Sequence, residues 1–169
     1  MTDPGLAAFH ALPAEAAVAE LMSCCAVGRW AEVLAAGRPY PDRAALLRTA
    51  DTHAGDLTPI EVGAALAAHP RIGERAEGPD TEASWSQAEQ SGVRRDRETT
   101  GALAEGNRRY EERFGHLYLV CAAGRSGEEL LADLHRRLGN DPDTEVRVIG
   151  EELRKIAVLR VGKLLDSMS

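Results

Sequence analysis

Aromatic side chains are scarce in this sequence, at 4% of 169 residues. A core short of large rings must be built from Ala, Leu and Val, which suits closely packed helices. Cysteine is sparse as well: Cys24 and Cys25 are adjacent, Cys121 stands apart, and no CxxC spacing occurs. An odd count without paired spacing points to reduced core thiols in a cytosolic protein rather than a disulfide framework. Nothing approaches the ~20 apolar residues of a membrane span. Met1–Ala11 lacks the basic and apolar regions of a signal peptide, and the tail Asp166-Ser167-Met168-Ser169 is not a Ser-Lys-Leu address. Basic charge is in deficit, with 20 Lys and Arg against 27 Asp and Glu and a net charge of −7, which argues against a nucleic-acid partner. These absences leave a cytoplasmic protein that binds neither nucleic acid nor membrane.

What is present is helical periodicity. No repeat, linker or low-complexity tract interrupts it, and the length suits one core. The pattern predicts one compact all-α domain over residues 1–169 with about eight helices. They fall at about Ala14–Val27, Arg29–Ala36, Asp42–His53, Thr58–His69, Thr81–Ser91, Arg97–Phe114, Ser126–Leu138 and Asp141–Met168. Several ends are signposted. Thr58, Pro59 and Glu61 form a capping box with proline at the first helical position. Pro70 disfavours helical geometry at His69, Gly115 closes the helix before it, and Ser126 caps the next. Gly37-Arg38-Pro39-Tyr40-Pro41 reads as a rigid turn, Arg71–Pro79 as a loop, and Leu117–Ala122 as a buried strand or extended segment.

One residue breaks the pattern. The last helix carries an apolar stripe of Val146, Ile149, Leu153, Ile156, Ala157 and Leu164. At about 100° per residue, Arg160 projects between the directions of Ile149 and Leu153. An inward guanidinium is costly unless an anion meets it. That anion is either a protein carboxylate, such as Glu152 two turns away, or an acidic small molecule.

Two further groups invite chemistry. His69 ends a helix and is locked by Pro70 at the mouth of a Gly-containing loop. A helix C-terminus favours the imidazolium, and histidine suits proton transfer near neutrality. Ser86, Glu89 and Gln90 lie three and four residues apart, so a hydroxyl, a carboxylate and an amide share one helix face. His10, His53 and His135 read as surface or turn residues. No metal-ligand spacing, phosphate loop or nucleophile elbow occurs, so the chain reads as free of metal and cofactor.

Taken in order, the motifs form a signature. They are His69-Pro70-Arg71-Ile72-Gly73, Ser86-x-x-Glu89-Gln90, Asn107-x-x-Tyr110-x-x-x-Phe114-Gly115 and Glu152-x-x-Lys155-Ile156-x-x-Leu159-Arg160-Val161, with Arg29-Trp30 and Ala50-Asp51 upstream. The signature resembles the OHCU decarboxylase family, which acts on 2-oxo-4-hydroxy-4-carboxy-5-ureidoimidazoline (OHCU), the last intermediate between urate and allantoin. The resemblance implies an all-helical fold and a cofactor-free decarboxylation giving (S)-allantoin. It implies His69, Glu89 and Arg160 as catalytic residues, and Pro70, Ser86, Gln90, Leu119 and Val120 as residues that bind an anionic ureide. Family members are often dimers, and no surface stripe here demands one. One departure stands out: many members continue Phe-Gly with Phe-Pro-Phe, where this chain has His116-Leu117-Tyr118. Two other readings follow from the same residues. One is a decarboxylase of a related ureide; the other is a non-catalytic helical binding module in which Arg160 pairs with an internal glutamate.

Overall fold

The structure, a computed structural model, describes residues 2–72, 85 and 97–169. The described residues form eight helices and no strand: α1 (Pro4–Ala11), α2 (Ala14–Cys24), α3 (Gly28–Ala36), α4 (Arg43–Ala54), α5 (Pro59–Leu66), α6 (Arg97–Phe114), α7 (Gly127–Leu138) and α8 (Pro142–Ser167). The all-α expectation holds. The helix expected over Thr81–Ser91, and most of the Arg71–Pro79 loop, lie outside the described residues.

One compact unit comprises the residues up to Ala65 together with Leu153–Ser169. Its helix α1 was not expected, although Asp3-Pro4 carries the local signal. Asp3 caps the helix by accepting from the Leu6 N–H at 3.0 Å, and Pro4 fills a position where an N–H would go unpaired. Helices α2, α3 and α4 pack in sequence around Leu21, Trp30, Leu34 and Leu46, all at most 1% exposed. The indole N–H of Trp30 donates to the Ala50 carbonyl at 3.0 Å, so burying the large ring leaves no polar atom unpaired. In the Gly37–Pro41 turn, Arg38 donates to the carbonyls of Ala35, Phe9 and Leu12 at 2.8–2.9 Å. One guanidinium thereby serves carbonyls at the ends of both α3 and α1. Cys24 and Cys25 are buried, and none of the three cysteines forms a disulfide.

The other unit spans Leu66–Glu152 and is organised by α6 packed on α7. Gly106 permits the approach: a Cβ there would collide with Leu134 Cδ2. Gly115 ends α6 at φ 76°, a left-handed conformation open to glycine at little cost. Ser126 caps α7 in a reciprocal box with Glu129. Between α6 and α7 the chain is neither helix nor strand, yet Tyr118, Leu119 and Val120 are at most 3% exposed. Of the two readings for this run, the extended segment is the one observed.

The stripe on α8 needs one correction. Ile149, Leu153, Ile156, Ala157 and Leu164 are buried, but Val146 is 51% exposed and its neighbour Glu145 is fully buried. The inward face is shifted by one residue at the start of α8 because Glu145 is drawn to Arg137 and Tyr110. Arg160 is 0% exposed, as its phase requires.

Candidate active site

Helix α5 delivers the first site residue. Thr58 and Glu61 form the expected capping box, the Thr58 N–H donating to Glu61 Oε1 at 2.9 Å and the Glu61 N–H to Thr58 Oγ1 at 3.2 Å. Arg29 grips the same carboxylate with two donors, at 2.8 and 2.9 Å. The helix ends at Leu66 rather than near His69, and the His69 N–H closes the following turn on the Leu66 carbonyl at 3.0 Å. His69 and Pro70 are half-buried. The next two residues are tied to α6. Arg71 forks onto Glu111 with contacts of 2.9–3.1 Å, and Asn107 Nδ2 donates to the buried Ile72 carbonyl at 2.8 Å.

The second element is the extended segment, whose backbone is fixed by buried charge. Arg137, 1% exposed, donates through Nη1 to the Leu119 carbonyl at 2.8 Å and through Nε to Glu145 at 2.7 Å. Its guanidinium carbon lies 4.5 Å from the Tyr118 ring centre and 5.9 Å from that of Tyr110, within cation–π range. The tyrosine hydroxyls complete the network, Tyr110 donating to Glu145 at 2.6 Å and Tyr118 to Asp133 at 2.5 Å. Burial, and then these hydrogen bonds to carboxylates, push both phenols well above the usual tyrosine range. For Arg137 burial works against the charge, but the Glu145 contact outweighs it and holds the guanidinium firmly protonated. Two residues beyond Leu119, the Cys121 N–H donates to Glu152 Oε1 at 3.3 Å. Val120, between the two anchors, has no hydrogen bond to a described side chain.

His116, where many relatives of the motif carry phenylalanine, stands edge-on to Tyr110 at 5.5 Å and stacks on Phe114 at 6.1 Å. The imidazole thus serves as a ring in an aromatic cluster.

Of the expected site residues, His69, Pro70, Leu119 and Val120 belong to the Leu66–Glu152 unit and Arg160 to the other. Neither His69 nor Arg160 is an isolated group. Ser86, Glu89 and Gln90 lie outside the described residues. The sequence reading missed Arg137, Glu145 and Asp133, although the signal was available. Arg137 follows Leu130 and Leu134 on the inward face of α7, and Glu145 precedes Ile149 by one turn, so each is a charge on a buried seam. The motif residues Arg29-Trp30 and Ala50-Asp51 prove to be framework: Trp30 binds Ala50, and Asp51 pairs with Arg154 at 2.5 and 2.9 Å. Among the described residues no cluster of His, Cys, Asp and Glu could hold a metal ion, and no helix is long and apolar enough to cross a membrane.

The described helices, with a half-buried histidine between α5 and Pro70 and a fully buried arginine in α8, define an all-α protein. The chain belongs to the OHCU decarboxylase family, whose family model matches residues 10–162. It is 29% identical over 148 residues to the uric acid degradation bifunctional protein TTL of Arabidopsis thaliana, covering 85% of this chain and 45% of that one. It is 34% identical over 104 residues to a 2-oxo-4-hydroxy-4-carboxy-5-ureidoimidazoline decarboxylase of Haloferax volcanii, covering 60% of each. The matched region is thus less than two thirds of the length of these curated relatives. A crystal structure of OHCU decarboxylase in the presence of (S)-allantoin matches with a TM-score of 0.72 and 28% identity, over 87% of this chain and 97% of that one. A structure of (S)-allantoin synthase shares the fold, with a TM-score of 0.68 and 16% identity over 96% of this chain and 53% of that one.

Proposed function

We propose that this protein decarboxylates OHCU to (S)-allantoin in urate degradation. The observation that carries the reading is a fully enclosed arginine, Arg160, in a chain of the OHCU decarboxylase family. A guanidinium has five N–H donors, enough to serve internal partners and a substrate oxygen together.

The substrate bears a carboxylate and a hydroxyl on one ring carbon, next to an imine carbon that carries the ureido group. When carbon dioxide leaves, the electron pair of the broken C–C bond flows into the adjacent C=N. The substrate is its own electron sink, so the reaction runs without metal or cofactor. The ring nitrogen that receives the pair takes up a proton from solvent, the hydroxyl gives up its proton to become the ring carbonyl, and the ureido-bearing carbon gains a proton on one face. His69, oriented by Glu89, accepts the hydroxyl proton and delivers one to that carbon. Arg160 holds an oxygen whose charge grows as the bond breaks. Ser86 and Gln90 read the ureido and ring amides, and Pro70, Leu119 and Val120 form the wall that sets the face. The enzyme is cytoplasmic.

The test is to supply freshly generated OHCU and follow the chiral signal of allantoin by circular dichroism. Fast appearance of the S enantiomer is expected. Slow racemic product, equal to the uncatalysed background, would sink the reading and favour a related ureide. Within an active enzyme, His69→Asn with full rate and selectivity would remove His69 from the mechanism. Arg160→Lys with unchanged turnover would remove Arg160, since a point charge lacks the planar fork.

A further inference from the structure

Two residues of α6 hold the segment that carries His69, and neither is accounted for by the chemistry above. Asn107 and Glu111 are four residues apart and so share one face of the helix. Asn107 Nδ2 donates to the carbonyl of Ile72, three residues after His69, and Glu111 accepts the fork of Arg71, two residues after it. The carbonyl partner fixes which end of the amide is which, because only the NH2 group can donate to it.

The other end of the amide is informative. Asn107 is 3% exposed, and its Oδ1 has no hydrogen-bond partner among the described residues. A buried acceptor left unpaired is a cost that an apolar residue would avoid. That cost is tolerated for the sake of the donor facing Ile72. Glu111 supplies a second tie of different chemistry one turn along, near the surface, where Arg71 and Glu111 are 47% and 28% exposed. Two ties on one rigid helix fix both the position and the rotation of a short chain segment. One tie would leave it free to pivot.

We infer that Asn107 and Glu111 are positioning residues that hold the His69 imidazole in register for proton transfer. This rests on the reading of His69 as the proton-transfer group. Neither residue touches substrate in this account; they act through the backbone of residues 70–72. Misplacing a reacting group by about 1 Å can cost about a hundredfold in rate while leaving binding nearly intact, so the effect belongs in kcat.

The experiment compares the full chain with Asn107→Asp, which keeps the size but removes the donor, and with Glu111→Ala. Asn107→Asp is expected to lower kcat ten- to a hundredfold with KM within about twofold, and to erode the S selectivity of the product. Glu111→Ala, at a partly exposed position that tolerates truncation, is expected to lower kcat by a smaller factor, which the swap Arg71→Glu with Glu111→Arg partly restores. A folded Asn107→Asp enzyme with normal kcat overturns the inference. So does a loss of rate in Glu111→Ala that appears wholly in KM, or that the swap leaves unimproved, and this arm decides if Asn107→Asp does not fold. A second readout needs no activity: the imidazole C–H resonances of His69, assigned through His69→Asn, shift in both variants while those of His53 and His135 stay in place. If the unmodified chain fails to turn over OHCU but these resonances move, the proposed reaction is wrong and the positioning stands. Unmoved His69 resonances in both variants overturn the positioning.

Discussion

The central ion pair of one compact unit is enclosed, whereas the ion pairs described in the other are exposed or half-buried. In the unit built from α1 to α5 and the end of α8, the described ion pairs sit near the surface and join segments far apart in sequence. Arg43 meets Asp3 at 2.6 Å and Asp166 at 2.7 Å, and Arg154 meets Asp51 at 2.5 Å, with exposures from 26% to 71%. In the Leu66–Glu152 unit the central pair is enclosed, with Arg137 at 2% and Glu145 at 0% side-chain exposure and 2.5 Å apart. Exposed pairs are each worth about 0–1 kcal/mol and weaken with salt. Removing one member of a buried pair strands the other in a medium that solvates it poorly, at a cost of about 3–5 kcal/mol. Near-identical distances therefore describe interactions of different consequence. The surface pairs help fix where chain segments lie, whereas the buried pair fixes the backbone of Leu119 in the expected substrate wall.

The largest effect is expected where the comparison is sharpest. Arg137→Ala leaves the buried Glu145 with neutral donors only, the Leu119 carbonyl without its donor and a void beside the Tyr110 and Tyr118 rings. A loss of about 3–5 kcal/mol in urea unfolding is expected. A loss below 1 kcal/mol would show that the enclosed network contributes no more than a surface pair. Next comes Tyr118→Phe, which deletes one hydroxyl but leaves Asp133 its contacts with Arg136 and Arg137. The acceptor is only partly orphaned, so about 1–2 kcal/mol is expected from the same measurement. A neutral result would mean that the arginines alone satisfy Asp133.

The same contrast explains what could be read from sequence. The Thr58–Glu61 box and the Ser126 cap were legible because donor and acceptor are three residues apart. The enclosed Arg160 was legible because 3.6-residue periodicity exposes a charge on an apolar seam. Arg137 and Glu145 carry that same signal, and Glu145 was missed because Val146 offered an apolar residue one step out of phase. The tie from Asn107 to Ile72 was not legible: its acceptor is a backbone carbonyl 35 residues away, and every residue type presents one. Asp3-Pro4 is a plain helix start that went unread because the stretch after it is short and weakly patterned. Family resemblance supplied the substrate and the roles of Glu89, Ser86 and Gln90, for which spacing gave only a shared helix face.

Asp51→Ala tests the weaker side of the comparison. Both partners are more than a third exposed, so the expected loss is at most about 1 kcal/mol at low salt and less at high salt. A loss of 3 kcal/mol or more that is insensitive to salt would break the distinction between the two units.

The smallest effect at neutral pH becomes visible only in acid. The hydrogen bond from Arg43, and then the Leu6 N–H, hold Asp3 down to about 2 from an ordinary 3.8. Arg29, and then the Thr58 N–H, hold Glu61 down to about 2 from an ordinary 4.5. A carboxyl whose pKa is lower folded than unfolded contributes stability above its unfolded value and loses it as pH falls through the folded one. Both contributions should therefore be complete above about pH 4.5 and fade toward about pH 2. The urea midpoint of the double variant Asp3→Asn, Glu61→Gln should then fall less steeply across that window than that of the unmodified chain. Equal slopes would mean that these bonds do not persist in solution, and the surface pairs of this unit would lose their claim to hold α1 and α5 in place. Because both groups lie half-buried near the surface, raising the salt should shrink the difference between the two slopes, which separates this acid response from any contribution of the enclosed network.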